Sequence, residues 1–213
     1  MVDTTFLDEL ASSAPTPGGG GAAAYAGALA AALASMVGNL TTGKARYAEY
    51  ENRTQAELAN LEHYRAHLLD LIDADAQAFK PLAATYAMPR ETPEQQQARE
   101  TAMQAALIGA CDVPLEIMRT CTQVMESCIF FAEHGSRLAL SDAGAAAVLA
   151  KAALLTASLN LYINVGSMTD PALADHYRTE ANALIAHGNH FTKTAYNQVA
   201  QELNAPWLSS EGE

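Results

Sequence analysis

Apolar residues in this chain recur at steps of three, four and seven. No run alternates for the length of a strand, so the pattern predicts helices nearly throughout. Phe6, Leu7 and Leu10 mark a short first helix. After a proline–glycine segment, a second helix is predicted from about Gly21 to Thr42, with Leu29, Leu33, Met36, Val37 and Leu40 at helical spacings. Gly43 follows that periodic run, and Lys44 and Arg46 complement a carbonyl end, so the helix is expected to stop there. A long third helix fits Tyr47 to about Tyr86. Its stripe reads Leu58, Leu61, Leu68, Ile72 and Phe79, and Pro81 is expected to bend or end it. Thr92-Pro93-Glu94-Gln95 reads as a helix start, with an N-cap, a proline at the first helical position and a capping-box glutamine. That helix continues towards Gly109, and Pro114 either kinks it or opens the next segment, Leu115 to His134, which Gly135 stops. Ser141 is expected to cap a helix reaching about Val165, and Asp170-Pro171 to start another that Gly188 closes. A polar tail follows Trp207, over residues 208–213. The reading is all-α, a single helical-bundle domain over residues 1–213.

From Leu10 to Gly43 no side chain carries a charge, which invites a membrane-spanning reading. The stretch nevertheless contains Pro15, Pro17, several glycines, Ser35 and Asn39, and few large apolar residues. A buried helix of a soluble protein is the expectation, with no membrane contact. Gly27, Ala31, Ala34 and Gly38 would let another helix approach closely. A helix this apolar needs more cover than a small bundle gives, so a homodimer is expected.

Composition sharpens this picture. The chain has 213 residues, a formal net charge of −12 and 7% aromatics, with much of its apolar content in alanine. Small apolar residues suit close helix packing, and the negative charge argues against nucleic acid as a partner. Cys111, Cys121 and Cys128 form no metal or disulfide pattern and are expected to be reduced, packed thiols. Met1-Val2-Asp3 opens no signal-peptide pattern, so a cytoplasmic location is expected. His63 and His67, and His187 and His190, have metal-compatible spacings but no third ligand, so no metal is expected.

Several residues are candidates for chemistry. Asp75 falls between Ile72 and Phe79 on the apolar stripe, where a carboxylate must be paired, hydrogen-bonded or perturbed. Asp73 sits one strip over, and Lys80 is near enough in sequence for its long side chain to approach. An acid/base pair and a buried structural salt bridge both fit. Asp142 stands at a predicted helix start as a cap or a ligand group. Asn160 and Asn164 place two amides on one face of an apolar helix, for a ligand or a neighbouring helix. Lys44, Arg46 and Arg53 form the dense basic group of an acidic chain. Pro15-Thr16-Pro17-Gly18-Gly19-Gly20-Gly21 leaves backbone N–H groups unobstructed at a helix start, which suits an anion or a carbonyl oxygen better than a linker does.

That segment, with Ala24-x-x-Gly27-Ala28-Leu29-x-Ala31-Ala32-Leu33-x-Ser35-Met36-Val37 behind it, resembles the cyclodeaminase half of formiminotransferase-cyclodeaminase. It equally resembles free-standing relatives, including methenyltetrahydrofolate cyclohydrolases. The resemblance continues through Leu71–Phe79, Val113-Pro114-Leu115-Glu116, Ser141-Asp142 and Asn160–Asn164, covering almost the whole chain in order. It implies one-carbon chemistry at the N5–N10 edge of a tetrahydrofolate substrate, with no permanently bound cofactor. Formimidoyltetrahydrofolate cyclodeaminase comes first, methenyltetrahydrofolate cyclohydrolase is the alternative, and a non-catalytic ligand- or partner-binding dimer is the reading of another class. Asp73, Asp75, Lys80 and Asp142 are then candidates for proton transfer. Thr16, Gly18, Gly19, Gly20, Asn160 and Asn164 are candidates for holding the pterin, and Lys44 and Arg46 for the glutamate carboxylates. Gly21 stands where relatives commonly have serine, and Ser136 where asparagine is expected. Both departures would remove a polar group from a ligand loop.

Overall fold

The computed structural model describes residues 4–207, and the tail expected over 208–213 lies outside the described residues. Six α-helices follow in order: α1 Thr5–Leu10, α2 Gly19–Asn39, α3 Glu51–Tyr86, α4 Pro93–His134, α5 Leu140–Val165 and α6 Pro171–Leu203. Short 3₁₀ turns at Ala45–Tyr50 and Arg137–Ala139 lead into α3 and α5, and no strand occurs among the described residues. The fold is therefore all-α. α4 packs against α2, α3, α5 and α6, and α2 lies between α3 and α5.

The expected capping box is present at α4, where Gln95 N–H donates to Thr92 Oγ1 (3.3 Å) and Thr92 N–H to Gln95 Oε1 (3.2 Å). Asp170 caps α6 by accepting from the N–H groups of Ala172 and Leu173. Several boundaries differ from expectation. α2 begins at Gly19, so most of the glycine run is the first helical turn. α3 begins at Glu51 rather than near Tyr47, behind the 3₁₀ turn Ala45–Tyr50, and continues past Pro81 to Tyr86 as its periodicity predicts. Gly188 lies inside α6 rather than after it. A Cβ there would stand 3.1 Å from both Leu154 Cδ1 and Met125 Cε, so glycine serves the close approach of three helices. Ser141 is within the first turn of α5, behind Ala139 at the N-cap.

The core is built from small residues. Ala31, Ala34, Gly27 and Gly38 of α2 are all buried, and a Cβ on Gly27 would meet Cys121 Sγ at 2.8 Å and Leu68 at 3.2 Å. Larger side chains from α3, α4 and α5, among them Leu61, Leu68, Ile117, Met118, Met125, Phe131 and Leu161, complete it. The three cysteines are buried and unpaired, and burial pushes the thiols of Cys121 and Cys128 up to about 12. α2 and the segment Arg137–Val165 are each long and apolar enough to cross a membrane, and about half of each is packed inside the bundle.

Candidate active site

A cleft of about 320 Å³ opens where the N-terminus of α2, the second half of α3, the middle of α4 and the C-terminal end of α5 meet. Its walls mix apolar side chains, Phe79, Leu82, Met103, Leu107 and Ile163, with the polar groups of Thr16, Asp75, Asn160, Asn164 and Ser167. Among the described residues of the lining, Asp75 is the sole aspartate or glutamate, and none is lysine or arginine.

The glycine run explains how these groups come together. A Cβ on Gly20 would occupy the space that the Asp75 carboxylate fills, and a Cβ on Gly19 would stand 2.9 Å from Asn160 Nδ2. Any larger residue at either position would push an acid or an amide out of the cleft. Gly21 N–H, one of the donors left over at the start of α2, donates to Asp75 Oδ2 at 3.1 Å. Burial raises the Asp75 pKa above the ordinary carboxylate value, and the Gly21 hydrogen bond opposes that only in part. No cation pairs with it in a salt bridge among the described residues, so the salt-bridge alternative drops away.

The amides are fixed by backbone carbonyls. Asn160 Nδ2 donates to Thr156 O at 3.0 Å, one turn back on α5. Asn164 Nδ2 donates across to Ala110 O of α4 at 2.7 Å. Ala110 stands four residues before Pro114, which has no N–H to return, so the asparagine replaces the missing helical donor and α4 continues past the proline. The sequence left open whether Pro114 kinks or starts a helix; it does not end one.

The remaining candidates lie elsewhere in this chain. Asp73 is exposed on α3 outside the cleft, and exposed Lys80 donates to Gln77 Oε1 at 2.9 Å rather than reaching Asp75. Asp142 is half-buried in the first turn of α5, about 27 Å along that helix from Asn160 at 1.5 Å per residue. Lys44 and Arg46 are exposed beyond the C-terminus of α2, about 30 Å from Gly19 along the helix. Arg53 is spent on Glu57 (2.7 Å) and lies over the Phe130 ring. The two departures also fall outside the cleft. A Cβ on Gly21 would face Pro17, Ile72 and Phe6, while buried Ser136 donates its N–H to Thr41 Oγ1 at the far end of α2. A serine at 21 would therefore point into apolar surroundings, not at a ligand.

Sequence reasoning passed over Tyr86, Ser167 and most of the apolar wall. Part of that wall was readable, because Asp75, Phe79, Leu82 and Tyr86 continue one face of α3 at steps of four, three and four. Among the described residues no three His, Cys, Asp or Glu side chains converge as metal ligands, and His67 Nε2 instead lies 3.0 Å from Glu116 Oε1.

The formiminotransferase-cyclodeaminase family model matches residues 3–183, with the cleft inside that span. The chain belongs to this family. Over 200 residues it is 42% identical to methenyltetrahydrofolate cyclohydrolase of Methylorubrum extorquens, covering 94% of this chain and 96% of that protein. It is 33% identical over 180 residues to formimidoyltransferase-cyclodeaminase of Rattus norvegicus, spanning 84% of this chain but only 33% of that longer protein. The crystal structure of formiminotetrahydrofolate cyclodeaminase from Thermotoga maritima superposes with a TM-score of 0.78 at 27% identity, covering 96% of each chain. The relatives' names divide between two reactions.

Proposed function

We propose that this protein is a tetrahydrofolate one-carbon enzyme and that its reaction is the hydrolysis of 5,10-methenyltetrahydrofolate to 10-formyltetrahydrofolate. The observation that carries the reading is Asp75, a partly buried carboxylate with no other acid and no lysine or arginine among the described residues that line its cleft. The methenyl substrate is an amidinium cation, and such a site favours it electrostatically. The 42% identity to the M. extorquens cyclohydrolase, over nearly the full length of both proteins, supports the hydrolysis reading, although the sequence resemblance put cyclodeaminase first.

In the reaction, water adds to the methenyl carbon while ionised Asp75 takes one of its protons. This forms a neutral carbinolamine whose carbon bears nitrogen on both sides. The C–N5 bond then breaks, the hydroxyl proton is lost as the carbonyl forms, and N5 takes up a proton. The formyl group stays on N10, and one proton is released overall. The residues at hand supply proton transfer at one carboxylate, an apolar wall against which the ring system can pack, and amides that orient it.

Cyclodeamination is the second reading. It is favoured by the T. maritima structure, itself covered over 96% of its length. There N10 attacks the formimino carbon and ammonia leaves, so the same carboxylate would serve a different nucleophile. Purified protein assayed with 5,10-methenyltetrahydrofolate and, separately, with 5-formiminotetrahydrofolate decides the matter. Hydrolysis above the spontaneous rate, with higher kcat/KM than ammonia release, is expected. The opposite ranking would make it a cyclodeaminase, and binding without turnover of either substrate would return it to the non-catalytic class.

A second copy of the chain is proposed to cover the outer face of α2 and α5. Leu29 (49% exposed) and Leu159 (71%) stand there, with little charge on either helix. Antiparallel pairing would bring the Lys44–Arg46 end of one protomer towards the acidic cleft end of its partner. In that arrangement those cations would stand near a folate carboxylate.

A further inference from the structure

We infer that Pro114 is a positioning residue which, through Asn164, makes the α5 side of the cleft a reader of hydrogen-bond donors, and that it thereby selects the donor edge of a pterin. The inference rests on the folate reading above. An unconstrained asparagine can present either its oxygen or its NH₂ to a ligand. Here the choice is made by the backbone. Pro114 lacks an N–H, Ala110 O is consequently free, and Asn164 Nδ2 takes it at 2.7 Å. Asn160 is held in the same sense by Thr156 O at 3.0 Å. One N–H of each NH₂ is donated to a carbonyl, which sets the orientation of the amide, and neither amide oxygen accepts a hydrogen bond from the described residues. Neither is an orphaned buried atom, and both residues line the cleft. Two acceptors are thus offered to the ligand from successive turns of one helix.

A pterin carries adjacent donors, the ring N3–H and the 2-amino group, on the edge opposite its reacting N5. Docking that edge on Asn160 and Asn164 puts the recognition contacts on α5, across from the α3 carboxylate. A ring lacking the 2-amino donor leaves an amide oxygen without its partner, which costs affinity because the unmade bond is desolvated on binding. Pro114 itself lines the cleft, so its contribution through Asn164 has to be separated from direct contact between its ring and the ligand.

The test measures binding of 5,10-methenyltetrahydrofolate and of its 2-desamino-2-methyl analogue to four full-length proteins: parent, Asn164→Leu, Pro114→Ala and the double variant. The parent should discriminate against the analogue by about 10-fold, the worth of one neutral hydrogen bond. Pro114→Ala returns an N–H to Ala110 O and releases the amide, so discrimination should fall while the helix is retained. In the Asn164→Leu background the same change should leave the discrimination ratio unmoved. The double variant has its helical donor restored, which keeps the comparison possible even where Asn164→Leu alone folds poorly. Equal loss of both ligands in Pro114→Ala, with the ratio kept, would show ring contact alone and overturn the positioning role. Equal affinity of the parent for both ligands would overturn donor reading while leaving the folate assignment standing. Failure of the parent to bind either would sink the folate reading, and this inference with it.

Discussion

Replacing Asp75 by asparagine separates chemistry from architecture in this cleft. The side chain keeps its shape, and its oxygen can still accept from Gly21 N–H, 3.1 Å away in the parent. The group lost is an ionisable carboxylate, and a general acid/base typically contributes ~10²–10⁴-fold in rate, or ~3–5 kcal/mol of barrier. Stability should move the other way. Burial raises the folded-state pKa of Asp75, so the folded protein holds that proton more tightly than the unfolded chain. The resulting cost of ionisation is absent below the unfolded pKa, grows as pH rises through the two values, and is full above the folded one. At neutral pH the asparagine variant should therefore melt at the parental temperature or above it, with that advantage shrinking in acid. The assay is kcat/KM for methenyl hydrolysis against pH, beside thermal melts over the same range. The parental profile should rise with pH through an apparent pKa above the ordinary carboxylate value, and the variant should be slow and flat through that region. A folded, folate-binding variant turning over at the parental rate would refute the role. So would one that melts much earlier while keeping its specific activity.

Other outcomes follow from the same geometry. Gly20→Ala should displace the Asp75 carboxylate and cost at least about 10²-fold in activity, whereas Gly21→Ser, whose Cβ has its nearest neighbour at 3.5 Å, should retain near-parental turnover. Ser127→Ala removes one of two partners of buried Glu57 (2.8 Å) and should cost about 1–3 kcal/mol in denaturant unfolding with kcat unchanged. With thiol pKa values of about 12, Cys121 and Cys128 should resist iodoacetamide at pH 7.5 in the folded protein and react once it is unfolded. Leu29→Glu with Leu159→Glu should shift light scattering from dimer to monomer, and Lys44→Glu with Arg46→Glu should weaken folate binding most at low salt. A monomeric parent would remove the first of these proposals, and unchanged low-salt affinity the second.

The helical class, the α4 capping box and the rough extents of α1, α2, α3 and α5 were determined by the chain itself, because periodicity and end chemistry act within a few residues. Asp75 could be picked out in the same way, since a carboxylate between Ile72 and Phe79 is out of place on an apolar stripe. What a proline or glycine does inside a helix was decided elsewhere. Pro114 continues α4 because Asn164, fifty residues on, supplies the missing donor, and Gly188 continues α6 because Leu154 and Met125 crowd it. The candidate site divided on the same principle. Sequence grouped Asp73, Lys80, Asp142, Lys44 and Arg46 with Asp75 by type and by resemblance, but two long helices carry Asp142 and the basic pair to the opposite end of the bundle. Local pattern fixes which face a residue takes. Which residues meet is fixed by how six rods pack, and a rise of 1.5 Å per residue turns eighteen positions along α5 into about 27 Å of separation.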